Sequence, residues 1–162
     1  MATWQDLEEQ RPEMASAGRS LLYRFGVGLG FLATIRPDGG PRLHPICPVM
    51  LSGRIYAFII PSPKRADLLN DGRYALHSFP MDDNEDAIYL VGTARQVTDK
   101  PVVDALVEQY VAERAQFGFT AESIAAELPF EFDIEKVLLT VTKGHGDQSP
   151  VHSVWVPSVP GT

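Results

Sequence analysis

Phe31-Leu32-Ala33-Thr34-Ile35-Arg36, Pro37-Asp38-Gly39-Gly40 and Pro41-Arg42-Leu43-His44-Pro45-Ile46 follow one another without a break in this chain of 162 residues. The first run is short and apolar and predicts a strand. The second is a turn: proline presets the first angle, aspartate bonds locally and glycine accepts positive φ. The third predicts a return strand over Arg42–Leu51. Its prolines, Pro45 and Pro48, cannot donate to a ladder, so this strand should be bulged or lie at an edge. Ser52-Gly53 then turns the chain into a third strand, Arg54–Ile60. Pro61-Ser62-Pro63-Lys64-Arg65-Ala66-Asp67-Leu68 follows and predicts a helix over Lys64–Leu69, with Ser62 as N-cap and Pro63 at its first position. A helix start offers unpaired N–H groups and partial positive charge, and Lys64 and Arg65 add two cations. That makes a seat for a phosphate. It is equally the pattern of a capped surface helix.

Upstream, residues 4–10 read as a short helix capped near Thr3, and Pro12 ends it or starts the next. Met14, Ala17, Leu21, Leu22 and Phe25 then recur at helical spacing, and Gly26, Gly28 and Gly30 stop the run. Those glycines follow a helix and precede a strand, which is the wrong context for a dinucleotide loop. Downstream, Asn70-Asp71-Gly72 closes the short helix, and Arg73–Phe79 and Ala87–Thr98 read as strands. Between them lies an acidic loop with Asp82, Asp83, Glu85 and Asp86, without calcium-loop spacing. Gly92 interrupts the second of these strands and predicts a bulge or close approach. Val102, Val103, Leu106, Val107, Tyr110, Val111 and Ala115 form one stripe of a long helix over Pro101–Phe117. A shorter helix is expected over Ala121–Glu127, then a long strand over Phe130–Lys143. The tail, 144–162, has Trp155 as its anchor in a short final strand. The fold class is therefore mainly β with flanking helices: a six-stranded antiparallel barrel in a single domain, 1–162, with a helical segment at 1–27.

A net charge of −7 argues against a nucleic-acid partner, so an anionic ligand needs a local basic pocket. Cys47 is the single cysteine, which excludes an intrachain disulfide and fits a reducing compartment. It lacks a basic neighbour in sequence and reads as a small buried hydrophobe. The opening residues lack a signal-peptide pattern and no apolar run reaches membrane-span length. A cytoplasmic protein is expected. His77 reads as structural, and His145 and His152 are too isolated for a metal site, so no metal is expected.

The hairpin, the Gly53-Arg54-Ile55-Tyr56 strand, Ser62-x-Lys64-x-Ala66-x-Leu68 and the Gly92-Thr93-Ala94 strand together resemble the pyridoxamine 5′-phosphate oxidase-like family of FMN-binding split barrels. The resemblance is good over about residues 28–98. It implies a homodimer with flavin at the subunit interface. Arg42, Leu43, His44 and Pro45 would run beside the flavin, Ile59 and Ile60 would form the next contact strand, and Ser62 and Lys64 would hold the phosphate. The family's arginine before that lysine is here Pro63, with Arg65 on the other side. A flavin-contacting glutamine aligns with Ala87, and the oxidase's C-terminal arginine–histidine motif is missing. The resemblance thus implies an FMN- or 5-deazaflavin-dependent oxidoreductase acting on a small molecule, in which the cofactor carries the chemistry. No catalytic acid or base is named; His44 would donate to the ring or a substrate, or serve the backbone. The alternatives are a non-catalytic binder of flavin or haem, and a family member that has lost its cofactor.

Overall fold

A computed structural model describes residues 1–158; of the tail expected at 144–162, positions 159–162 lie outside the described residues. Helices α1 (Trp4–Gln10) and α2 (Pro12–Leu22) come first, followed by strands β1 (Gly30–Ile35), β2 (Pro41–Ile46), β3 (Pro48–Leu51) and β4 (Arg54–Ile59). Helix α3 (Pro63–Asn70) leads to β5 (Arg73–Ser78) and β6 (Ala87–Gln96), helix α4 (Lys100–Arg114), β7 (Leu128–Val141) and β8 (Val151–Trp155).

All strands among the described residues join one antiparallel sheet of eight, in the order β2-β1-β5-β6-β7-β4-β3, with β8 on β7. The expected six strands become eight for two reasons. The return strand breaks at Cys47, so Pro41–Ile46 pairs with β1 while Pro48–Leu51 pairs with β4. The short final strand expected in the tail, left out of the six, is present as β8, and its Trp155 is 4% exposed and donates from Nε1 to Gln10 Oε1 at 3.1 Å. The break explains the architecture. β2 and β3 are consecutive in the chain yet stand at opposite ends of the strand path. The sheet must therefore curl until its ends meet at Cys47, and no ladder closes them. The result is a split barrel.

Registers assign the two faces. His44, Leu32, Leu76, Leu90, Val137 and Trp155 form one row across β2, β1, β5, β6, β7 and β8. Leu32, Leu76, Leu90 and Val137 are at most 1% exposed and line the core. Each such side chain contributes roughly 1.5–3 kcal/mol by burial. Pro45, Phe31, His77, Tyr89, Leu138 and Val154 form the neighbouring row on the outer face. The α4 stripe packs as its spacing predicts up to Val111: Leu106 and Tyr110 are buried with Val49, Tyr56 and Ile124 in a second cluster, and Cys47 lies half-buried against it. Beyond that, Ala115 is exposed past the helix end and Arg114 is buried instead.

Thr3 caps α1 reciprocally with Asp6, and Pro12 starts α2. α2 stops at Leu22, short of Phe25, and the helix expected over Ala121–Glu127 is a single 3₁₀ turn, Glu122–Ile124. That segment offers only Ile124 as a buried side chain, too little for a longer amphipathic helix. No described helix is long and apolar enough to cross a membrane.

The β6–β7 register shifts at Val91/Gly92, where glycine was expected to mark an irregularity. A Cβ on Gly92 would lie 1.9 Å from the Asp133 carbonyl oxygen. Gly92→Ala must force these two strands apart. It is expected to cost about 1–3 kcal/mol and lower the thermal midpoint by about 2–12 °C, measured by calorimetry. An unchanged midpoint would show that the bulge absorbs a methyl group.

Candidate functional site

The site candidates gather where β2, a sheet edge, faces the start of α3. Alternation along β2 sends Arg42, His44 and Ile46 inward and Leu43 and Pro45 outward, where Leu43 is 64% exposed. At the end of β4, Ile59 is fully buried in the core, so its side chain is unavailable to a ligand; Ile60 is half exposed.

Lys64 reaches back from α3 and donates from Nζ to the Pro45 carbonyl at 3.3 Å. Its amine is held below the usual lysine range, chiefly by burial, with Cys47 and Glu127 acting in the other direction. Burial raises the Glu127 carboxyl, and Lys64 counteracts that rise. Arg65 turns the other way and donates from Nη1 to the Ala126 carbonyl at 3.0 Å. The sequence places Lys64 and Arg65 side by side; the structure sends them to different acceptors. Ser62 occupies the N-cap position without capping, because its Oγ donates to the Ile60 carbonyl at 2.9 Å. The amides of Arg65 and Ala66 already donate to the Ser62 carbonyl, at 3.1 and 3.2 Å. Pro63 has no N–H, so the helix start offers fewer free amides than its sequence promised.

Arg42, expected beside the flavin, is tied within the chain: its Nε donates to Asp67 Oδ2 at 2.7 Å. Thr34 Oγ1 donates to the same oxygen at 2.8 Å. Asp67 is 2% exposed, on the face of α3 turned to the sheet. A buried carboxylate needs such partners, and an inward-pointing arginine needs a carboxylate. The sequence signal for Asp67 was therefore present: alternation along β2 puts Arg42 on the inner face with Ile46, which demands a counter-charge.

His44 leaves its Nε2 buried without a hydrogen-bond partner. An orphaned ring nitrogen, with the Lys64 amine at the carbonyl of the next residue, leaves polar groups at this end of β2 that a flavin or a haem would partner. Ala87 stands apart. It begins β6 on the outer face, opposite Thr140, with β1 and β5 between it and β2. At about 4.8 Å per strand that is roughly 14 Å away. It lines a pocket of about 450 Å³ with His77, Met81, Asp86 and His145.

The remaining histidines are locally engaged. His77 Nδ1 lies 2.6 Å from the Ser78 carbonyl, His145 Nε2 lies 3.0 Å from the Asp82 carbonyl, and His152 Nδ1 lies 3.0 Å from Thr140 Oγ1. Among the described residues, no three His, Cys, Asp or Glu side chains group as metal ligands. In the acidic loop, Asp82 pairs with Arg24, and Asp86 Oδ1 accepts from the Thr142 amide at 2.7 Å.

A family model described as pyridoxamine 5′-phosphate oxidase matches residues 26–140. No curated protein matches the chain. Among solved structures, the haem-binding protein of Mycobacterium smegmatis superposes with a TM-score of 0.64 at 16% identity, over 88% of this chain. The chain spans only 58% of that protein's length. A FAD-binding protein of Mesorhizobium loti gives 0.53 at 19% identity, over 67% of this chain and 82% of its own. An F420 reductase gives 0.57 at 17% identity, over 74% and 94%. At these identities the likeness is one of fold.

Proposed function

Because this chain belongs to the pyridoxamine 5′-phosphate oxidase family, we propose that it holds FMN or a 5-deazaflavin between β2 and the start of α3 and is an oxidoreductase acting on a small molecule. One observation carries the reading: Lys64, partly desolvated, lies against the free edge of β2 at the Pro45 carbonyl. A cation kept dry beside unpaired strand groups suits a ligand with a polar ring edge and a phosphate. When bound, the cofactor supplies the electron or hydride transfer. Lys64 and Arg42 bind the phosphate, β2 aligns the ring through its backbone, and His44 Nε2 meets a polar atom of the ring or substrate. The neighbours that bind FAD or work with F420 support this reading.

A non-catalytic haem binder is the second reading, favoured by the orphaned His44 Nε2, a nitrogen of the type that ligates haem iron. Titrating FMN, a 5-deazaflavin and haem separately into purified protein, read by visible absorbance, tests both. Saturable binding of a flavin supports the first reading. Haem alone supports the second, and binding of none means the cofactor has been lost.

The proposal includes a homodimer in the cytoplasm. On the outer face, the row from Pro45 to Val154 is joined by Leu43, Ala33, Ala75 and Val91, and that second row ends on the exposed Lys136. A fully solvated sheet face would be mostly polar, whereas apolar side chains outnumber polar ones in these two rows. A second copy is the occupant that matches this face, since an isologous contact pairs it with itself. Such pairing also gives the outlying Ala87 a role at a shared site.

A further inference from the structure

We propose that Asp67 is a positioning residue for the cofactor phosphate, acting through Arg42. The inference rests on the flavin reading above. One carboxylate oxygen, Oδ2, takes both Thr34 Oγ1 at 2.8 Å and Arg42 Nε at 2.7 Å. Thr34 and Asp67 are 1% and 2% exposed, so the anchor is fixed in the core, whereas the Arg42 side chain keeps 28% exposure.

A guanidinium is a rigid planar fork with five donors. Tied at Nε, Arg42 loses its freedom to swing, and its terminal Nη groups have no hydrogen-bond partner among the described residues. They are the donors left for a ligand at the β2 edge. The pair has a second effect. Asp67 cancels much of the Arg42 charge, so this arginine offers direction more than net charge. Without the carboxylate, Arg42 would gain electrostatic reach and lose its geometry. Bidentate recognition of phosphate depends on geometry, so the loss should dominate.

The test titrates FMN and riboflavin into wild type, Asp67→Ala, Asp67→Asn, Arg42→Lys and the Arg42→Ala/Asp67→Ala double variant. Asp67→Ala is expected to weaken FMN roughly tenfold and leave riboflavin nearly unchanged. Asp67→Asn keeps an acceptor oxygen for Arg42 and is expected to restore FMN binding to within about twofold. In the double variant, Asp67→Ala should add nothing to the loss from Arg42→Ala. Arg42→Lys, at a half-exposed position, keeps the charge without the fork and is expected to copy the Asp67→Ala loss. It supplies the reading if Asp67→Ala does not fold. Equal losses for FMN and riboflavin, tighter FMN binding in Asp67→Ala, or additive effects in the double variant would overturn the role of Asp67. FMN binding by wild type that is indifferent to both Asp67→Ala and Arg42→Lys overturns this inference alone. Wild type that binds neither flavin overturns it together with the flavin reading.

Discussion

Lys64→Ala is expected to weaken FMN binding roughly tenfold to hundredfold, because a charge-assisted hydrogen bond to phosphate contributes about 1.5–3 kcal/mol. Riboflavin has no phosphate, so its affinity should change by no more than about twofold. The substitution asks little of the fold. Lys64 makes one long contact, 3.3 Å to the Pro45 carbonyl, and its half-buried amine already bears the cost of desolvation. Removing it should leave the thermal midpoint nearly unchanged or slightly higher. Fluorescence titration of both flavins, with a melting curve on the same sample, reads the result. Parallel losses for FMN and riboflavin would mean that Lys64 shapes the β2 edge and does not meet the phosphate. Arg65→Ala should have the smaller effect, since its guanidinium already serves the Ala126 carbonyl.

If two copies pair through the outer face as proposed, Ala75→Arg is expected to leave the chain monomeric and to lower its flavin affinity. Ala75 sits in the middle of the outer face, flanked by Ala33 on β1 and Val91 on β6. An arginine there is tolerated in a lone subunit, whose outer face is open to water. In an isologous contact it would place two unpaired cations in an apolar core, at a cost of about 3–5 kcal/mol, or some two to four decades in the dimer constant. Light scattering should show half the wild-type mass, with helix and sheet content unchanged by circular dichroism. A Glu9→Arg control, on exposed α1, should remain dimeric. If Ala75→Arg stays at the wild-type mass, the subunits meet elsewhere or do not meet.

Much of this fold is local chemistry and could be read from the chain. The Pro37–Gly40 turn, the α4 stripe, the Gly92 irregularity and the Trp155 anchor each depend on a few neighbouring residues. The break at Cys47 does not. It exists because a sheet with β2 and β3 at opposite ends must curl, which is a property of the whole strand order. The site divides in the same way. Lys64 at the start of a helix is legible, and alternation shows that Arg42 needs a counter-charge; that Asp67 supplies it requires knowing that α3 packs against β1 and β6 and brings Asp67 to Arg42. Ser62 illustrates the limit of cap rules, since its hydroxyl found the Ile60 carbonyl instead. Ile59 was named beside Ile60 by resemblance, but strand alternation buries one and exposes the other.

Strand β7 carries ladders to β6 along one edge, and to β4 and then β8 along the other. Between those two, Ile134 exchanges backbone hydrogen bonds with Ala2, at 3.1 and 2.8 Å. A chain emerging from the ribosome amino end first therefore makes Ala2, β4 and β6 long before the strand they share. Until residues 128–141 arrive, those partners hold open edges that invite wrong pairing. Folding is thus delayed until residues 128–141 are made and proceeds by distant contacts, which slows it. Chains released before residue 128 have no seam on which to close, and quality control should clear them as unfolded.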